Sequence, residues 1–342
     1  MFFSLISDPV HQQQVLCLRM KTNRASSVLV ICVAARGRWR RTLRLRRALA
    51  AEGAGRLPGA VLRGLLRALD GAPGCVCAPG PPAPLAALRL ARWPDLSAHH
   101  DLRRLPYCTE PHCCNPSHWS RLCKPDTPPP PYTRYAMDDV KRKEGEKTED
   151  ARRTDHDRLP TGSLTTDGEV KPSWEDEWCR LAYWELSERV GGQYGVKPRA
   201  VDVWGGPGPR GGQQGLCLDD LTIEPQQLVR KTRSKIGLGV TLSREHDGVW
   251  LYNRSQEPVF VSSPALDAAA ARALLVWRVA PGHCLCIFDP QAPLPPSSLP
   301  QIGPVDPRSV RISFAKGWGP KYSRRDVTSC PCWLEVLLSP PS

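Results

Sequence analysis

The chain has 342 residues, 36 of them proline, and a formal net charge of +13. At roughly 100–200 residues per domain this length implies two domains with connecting segments, and so much proline implies stretches that never pack. No apolar run reaches the ~18 residues that a membrane-spanning helix requires, which excludes membrane insertion through a helix.

The segment Met1 to Gln14 lacks the basic start of a secretory signal. The 14 cysteines are therefore expected in a reducing compartment, as metal ligands or buried thiols rather than disulfides. The excess positive charge calls for an acidic partner: nucleic acid, phosphoprotein or anionic lipid.

Residues 1–56 form an irregular basic region. Arg36, Arg38, Arg40, Arg41, Arg44, Arg46 and Arg47 crowd one short run, read as a solvated tail or a nuclear-import or nucleic-acid patch. Residues 57–123 form a first domain. Leu62, Leu65, Leu66 and Leu69 recur at helical spacing. A Pro/Gly stretch from Ala78 to Pro84 then breaks the chain, before Arg92-Trp93-Pro94-Asp95-Leu96 and a dense group of Cys and His.

In that group four residues lie between Cys113 and His118, with Cys108 just upstream and Cys75 farther back. Three thiolates and one imidazole make a closed tetrahedral shell, which suits one structural zinc rather than a catalytic one with an open position. His99, His100, His112, Cys77, Cys114 and Cys123 are rival ligands on spacing alone.

Residues 124–172 read as a flexible linker, because their mixed charges bury too little apolar surface to offset ordering entropy. Within it, Pro129-Pro130-Pro131-Tyr132 fits the Pro-Pro-x-Tyr ligand of WW domains. Consecutive prolines hold the polyproline II helix ready-made, so docking costs little order.

Residues 173–342 read as a β-rich domain. Val249 to Tyr252 and Val259 to Val261 are expected strands, joined as a hairpin through Asn253 to Pro258. Leu274 to Val279, Cys284 to Phe288, Val310 to Phe314 and Cys332 to Leu338 are further strands. Gln226 to Ile236 is expected to be helical, with Gly237 as its C-terminal cap. Many strands with few helices give a β-sandwich with helical caps, so the whole chain is multidomain α+β. Trp250 and Trp333 are expected in the core, and Trp318 exposed on a loop. No phosphate-binding glycine loop or nucleophile elbow occurs, so an enzyme is not expected.

Three stretches carry a family likeness: Ala91 to Leu96 with Cys113 to Cys123, Pro128 to Tyr135, and Val310 to Leu338 supported by Asp247 to Val261. Together they resemble the Smad family, specifically its inhibitory branch. The likeness runs from about Leu57 to the C-terminus. It implies a small zinc-stapled N-terminal Mad-homology domain with ligands Cys75, Cys108, Cys113 and His118. It also implies a C-terminal Mad-homology β-sandwich. Where DNA-binding Smads carry a basic hairpin, Ala78 to Leu90 has Arg89 as its single charge, so DNA binding should be weak or absent. The chain ends Leu338-Ser339-Pro340-Pro341-Ser342 and lacks the paired serines of receptor-activated Smads.

The resemblance implies an adaptor of cytoplasm and nucleus. It would bind activated type I receptor kinases of the BMP/TGF-β class and other Smads, and recruit a HECT-type E3 ubiquitin ligase through Pro129, Pro130 and Tyr132. Corepressors are further expected partners. Phosphoprotein contacts are expected from Arg230, Lys231, Arg233 and Lys235 on the helix. Lys316, Trp318, Lys321, Tyr322, Arg324 and Arg325 should add contacts from a glycine-punctuated loop. The competing reading is a zinc-containing DNA-binding transcriptional regulator or corepressor scaffold.

Overall fold

The computed structural model describes residues 47, 59–69, 74–77, 82–123, 174–206, 215–221, 226–263, 266, 276–291, 308–319 and 322–340. Lys321, the 124–172 segment with Pro129, Pro130 and Tyr132, and all of residues 1–56 except Arg47 lie outside them. The chain divides into two compact units: residues 1–99 with 108–118, and residues 100–107 with 119–342. Among the described residues, no helix is long and apolar enough to cross a membrane.

The described residues of the first unit include two helices. In α1 (Gly59–Leu69) the leucine period works as expected, burying Leu62 and Leu65 on one face. The second helix, α2 (Pro82–Ala91), begins inside the Ala78 to Pro84 stretch that was expected to break the chain. Its prolines sit in the first turn, where the missing N–H would have no intrahelical partner anyway. Ala87 and Leu88 are fully buried, and Trp93 and Leu96 of the following turn join them inside. Arg89 donates from Nε to the Leu96 carbonyl at 2.5 Å, and Arg92 donates to the Pro116 carbonyl at 3.0 Å.

The second unit is a sandwich of two sheets. Its strands are β1 (Leu102–Arg104), β2 (Trp119–Leu122), β3 (Cys179–Glu185), β4 (Glu188–Val196), β5 (Ala200–Trp204), β6 (Gly215–Cys217) and β7 (Val240–Glu245). They continue as β8 (Gly248–Asn253), β9 (Val259–Ser262), β10 (Trp277–Val279), β11 (His283–Phe288), β12 (Ser309–Phe314) and β13 (Trp333–Leu338). One sheet has the order β1-β2-β11-β8-β7-β5-β6 and the other β10-β9-β12-β13-β3-β4.

Alternation builds the core. Val201 and Val203, Val240 and Leu242, Val249 and Leu251 point inward from the first sheet. Val259 and Val261, Val310 and Ile312, Leu334 and Val336 meet them from the second. The expected β8–β9 hairpin does not form. β8 pairs with β7 and β11, whereas β9 pairs with β10 and β12, so Asn253 to Pro258 carries the chain from one sheet to the other. Asn253 secures the crossing. Its Nδ2 donates to the Glu257 and Val279 carbonyls, and its Oδ1 accepts from Ser255.

The helix α3 (Gln227–Arg233) is shorter than its sequence period, ending in turns that reach Gly237 at φ +54°. The helix is capped at Ser234 rather than at the expected Gly237, whose left-handed backbone, which favours glycine, closes the turns beyond it. Trp333 is fully buried, as expected, and Trp318 is also buried, at 7% exposure, contrary to expectation. Trp250 is only half-buried, its ring lying beneath Arg103.

Candidate functional site

In the first unit, Cys75, Cys108, Cys113 and His118 converge, with all four ligand atoms within 4.8 Å of one another. Cys75 Sγ lies 3.9 Å from Cys108 Sγ and 3.4 Å from His118 Nδ1, and Cys113 Sγ lies 3.5 Å from the same nitrogen. Zinc bonds of about 2.3 Å to sulfur and 2.0–2.1 Å to nitrogen give tetrahedral edges of about 3.5–3.8 Å. These three separations lie near those edges, and the cluster can take one metal ion. The rivals face elsewhere. Cys77 donates to Glu110 at 3.3 Å and Cys114 to the His112 carbonyl at 3.6 Å, while His99, His100 and His112 are exposed.

The electrostatics also suit a cation. The hydrogen bond from Cys108 draws the Cys113 thiol well below its usual range, against the upward push of burial, with His118 assisting. Cys108 moves the opposite way, raised by that same bond and by its own burial. Three crowded sulfurs thus cannot all shed their protons unaided, and a divalent ion would replace those protons with charge of its own. Bound there, zinc would supply a structural crosslink.

Asn115, which the sequence reading did not single out, holds the cluster together. It is fully buried. Its Oδ1 accepts the Ser117 N–H at 2.9 Å and its Nδ2 donates to the Gly74 carbonyl at 2.7 Å. The first bond shapes the turn (Pro116–His118) that presents His118, and the second fixes the segment carrying Cys75. Asn before Pro-Ser is a turn signal that could have been read.

In the second unit, the basic residues fall into different environments. Arg230 and Lys231 are exposed on α3, with the apolar Leu228 beside them at 46% exposure. Arg233 is not: it is 7% exposed and ion-paired with Glu185, with Asp219 at 3.9 Å. Lys231 and Arg233 stand two residues apart, on opposite sides of the helix, so Arg233 points inward to these carboxylates. Lys235 pairs with Glu257 at 3.1 Å.

The loop after β12 is anchored by aromatics. Trp318, Phe260, Val327, Cys330, Trp333, Trp184 and Ala182 form a buried cluster with Tyr322 packed on it. Tyr322 meets Phe260 edge-on at 5.5 Å. Trp184 and Trp333 stack at 5.1 Å. Gly317 permits this packing, because a Cβ there would come within 2.7 Å of the Tyr322 ring. Gly319 turns at φ +100°, donates to the Arg324 carbonyl at 2.8 Å and accepts from the Tyr322 N–H at 2.9 Å. Arg325 is left exposed, and Lys316 and Arg324 are half-buried.

Helix and loop share a support, the turn after β3. Glu185 pairs with Arg233, while Leu186 donates to the Cys330 carbonyl at 3.1 Å and accepts from Trp333 Nε1 at 2.8 Å. Tyr183 adds a bond to Glu185 at 2.9 Å. Sequence reasoning missed this turn, since Trp184-Glu185-Leu186 carries no local signal.

Comparison with known proteins agrees with this architecture. The MH1 domain model matches residues 15–123, a span that begins well before Leu57, and the MH2 domain model matches residues 176–339. The chain is 42% identical to mothers against decapentaplegic homolog 6 of Gallus gallus, over 76% of this chain and 64% of that protein. It is 40% identical to homolog 7 of Mus musculus over 79% of this chain and 67% of that one, and 39% identical to homolog 7 of Homo sapiens over 79% and 70%. The chain thus spans about two thirds of the length of these relatives. Among solved structures, the interferon regulatory factor 9 IAD domain aligns at a TM-score of 0.33 and 13% identity, covering 50% of this chain and 87% of that one, too weak a likeness to carry an argument. The chain belongs to the Smad family, in the inhibitory branch that these homologues represent.

Proposed function

We propose that this protein is a non-enzymatic inhibitory adaptor of TGF-β/BMP-class signalling, binding activated type I receptor kinases and other Smads. The observation that carries the reading is the rigid mounting of its basic groups. Arg230 and Lys231 on α3, and Arg324 and Arg325 on the loop, project from segments tied to the turn after β3. A phosphorylated kinase segment is polyanionic, and charge held in place loses little entropy on binding it. Membership of the inhibitory branch supports the same reading.

The finer partners extend it. Pro129, Pro130 and Tyr132 would recruit a HECT-type E3 ligase through its WW domains, and corepressors would be engaged in the nucleus. The protein would work in both cytoplasm and nucleus. DNA binding would be weak or absent. The stretch where DNA-binding relatives carry a basic hairpin is here the helix α2, and the Arg89 guanidinium is bonded to the Leu96 and Ser97 carbonyls.

The test is receptor capture by the full chain. Charge reversal at Arg230 and Lys316 together should abolish capture of an activated type I receptor and leave WW-domain binding intact, whereas Tyr132→Ala should do the reverse. Undiminished capture by the charge-reversed chain would remove the basis of the proposal.

A further inference from the structure

The hairpin β1–β2 is seated on the edge of the first sheet. β1 and β2 pair antiparallel through Leu102↔Arg121, Arg103↔Ser120 and Arg104↔Trp119. β2 then pairs parallel with β11, through His283↔Arg121 and Cys284↔Leu122. The Arg121 N–H donates to the Gly282 carbonyl at 3.0 Å and the Cys123 N–H to the Cys284 carbonyl at 2.8 Å. This ladder is short. Parallel pairs are slightly weaker per residue than antiparallel ones, so the backbone alone is a thin attachment.

Side chains reinforce it, Arg103 among them. Arg103 lays its guanidinium over the Trp250 ring, with Cζ 3.6 Å from the centroid. Its two terminal nitrogens grip the Asp247 carboxylate at 2.8 and 3.0 Å. One of them also reaches Glu245 at 2.6 Å, and Nε donates to the Tyr252 hydroxyl at 3.1 Å. The pocket is itself ordered, because Trp250 Nε1 donates to Asp247 at 2.9 Å and the Tyr252 hydroxyl to Glu245 at 2.6 Å. Around it, Leu105, Tyr252 and Cys284 form a small buried cluster with Tyr107, Leu122 and Trp250. Planar fork, two carboxylates and an aromatic face together fit arginine and exclude lysine, whose ammonium can neither fork nor stack.

We propose that Glu245, Asp247, Trp250 and Tyr252 form an arginine-reading pocket which, with the edge of β11, makes a strand-docking site whose occupant is this chain's own β1–β2 hairpin. The docked hairpin covers a sheet edge that would otherwise invite foreign strands. The sheet therefore takes strands from both family-matched stretches, with the pin supplied by the first and the socket by the second. A vacated site would accept an arginine-bearing extended peptide.

Hydrogen exchange on the full chain tests this, with an eight-residue peptide of residues 100–107 (His-Asp-Leu-Arg-Arg-Leu-Pro-Tyr) as the probe. In the Arg103→Ala chain, the amides of His283–Phe288 should exchange at least about tenfold faster, the loss expected for charge-assisted bonds. Arg103→Lys should behave like Arg103→Ala. The peptide should bind the Arg103→Ala chain but not the wild type, and a peptide carrying the Arg103→Lys change should bind at least about tenfold more weakly. Should Arg103→Ala fail to fold, Asp247→Asn serves in its place with the same expectation for β11. Unchanged exchange at β11, or equal binding of the two peptides, overturns the pocket. Dimers that form with rising concentration and dissociate in Arg103→Ala would overturn occupancy in cis in favour of a second copy.

Discussion

The guanidinium of Arg233 and the carboxylate of Glu185 form a buried ion pair that joins α3 to the end of β3. Burial alone would lower the Arg233 pKa, but the bond to Glu185 more than reverses it, so the charge persists inside. Breaking such a pair strands the surviving charge. Arg233→Ala or Glu185→Gln should therefore cost about 3–5 kcal/mol of stability in urea unfolding. Receptor capture should fall with either variant, because helix and loop lose their common support.

The Trp184–Trp333 stack carries the loop in the same way. Trp333→Ala removes a fully buried indole and its bond to the Leu186 carbonyl, and should destabilise the second unit by about 3–5 kcal/mol. Near-ultraviolet circular dichroism should lose the stacked-indole signal, while zinc content stays unchanged.

Zinc stoichiometry tests the first unit. The purified chain should carry one zinc, released by a strong chelator with loss of exchange protection over residues 105–118. Cys113→Ser should retain none. Asn115→Ala keeps all four ligands but loses the turn and the Gly74 tie, so it should weaken zinc affinity by roughly 10–100-fold.

Acid should loosen the hairpin. Burial pushes the Asp247 pKa up, but its bonds from Arg103 and Trp250 prevail and leave it below the usual carboxylate value. A group depressed in the folded state stabilises above its unfolded pKa and loses that contribution as pH falls through the folded one. Exchange at β1 and β11 should therefore rise as pH drops below about 4. Asp247→Asn should remove that pH dependence and show fast exchange throughout.

Several strands were legible from a buried, alternating face, although β3, β5 and β7, which also bury a face, were not read. Val310-Arg311-Ile312-Ser313-Phe314 alternates, and the structure buries Val310, Ile312 and Phe314 against the facing sheet. Spacing alone left six rival ligands open, and it was the family likeness that pointed to Cys75, Cys108, Cys113 and His118, the four that the structure brings together. The β8–β9 crossing was not, since turn residues between two strands say nothing of which sheet each joins. The Arg233–Glu185 pair was hidden for a related reason: its partners lie 48 residues apart, and local charge counts cannot reveal it. The helix α2 was hidden by prolines that a first turn tolerates. Arg103 carried no motif at all, and only pairing across 142 residues gives it meaning.

Affinity of the full chain for the cytoplasmic segment of a type I receptor, with and without its phosphates, measures the central claim most directly. The phosphorylated segment should bind at least about tenfold more tightly, with an advantage that shrinks as salt rises. Equal affinity for the two forms at every ionic strength would contradict it.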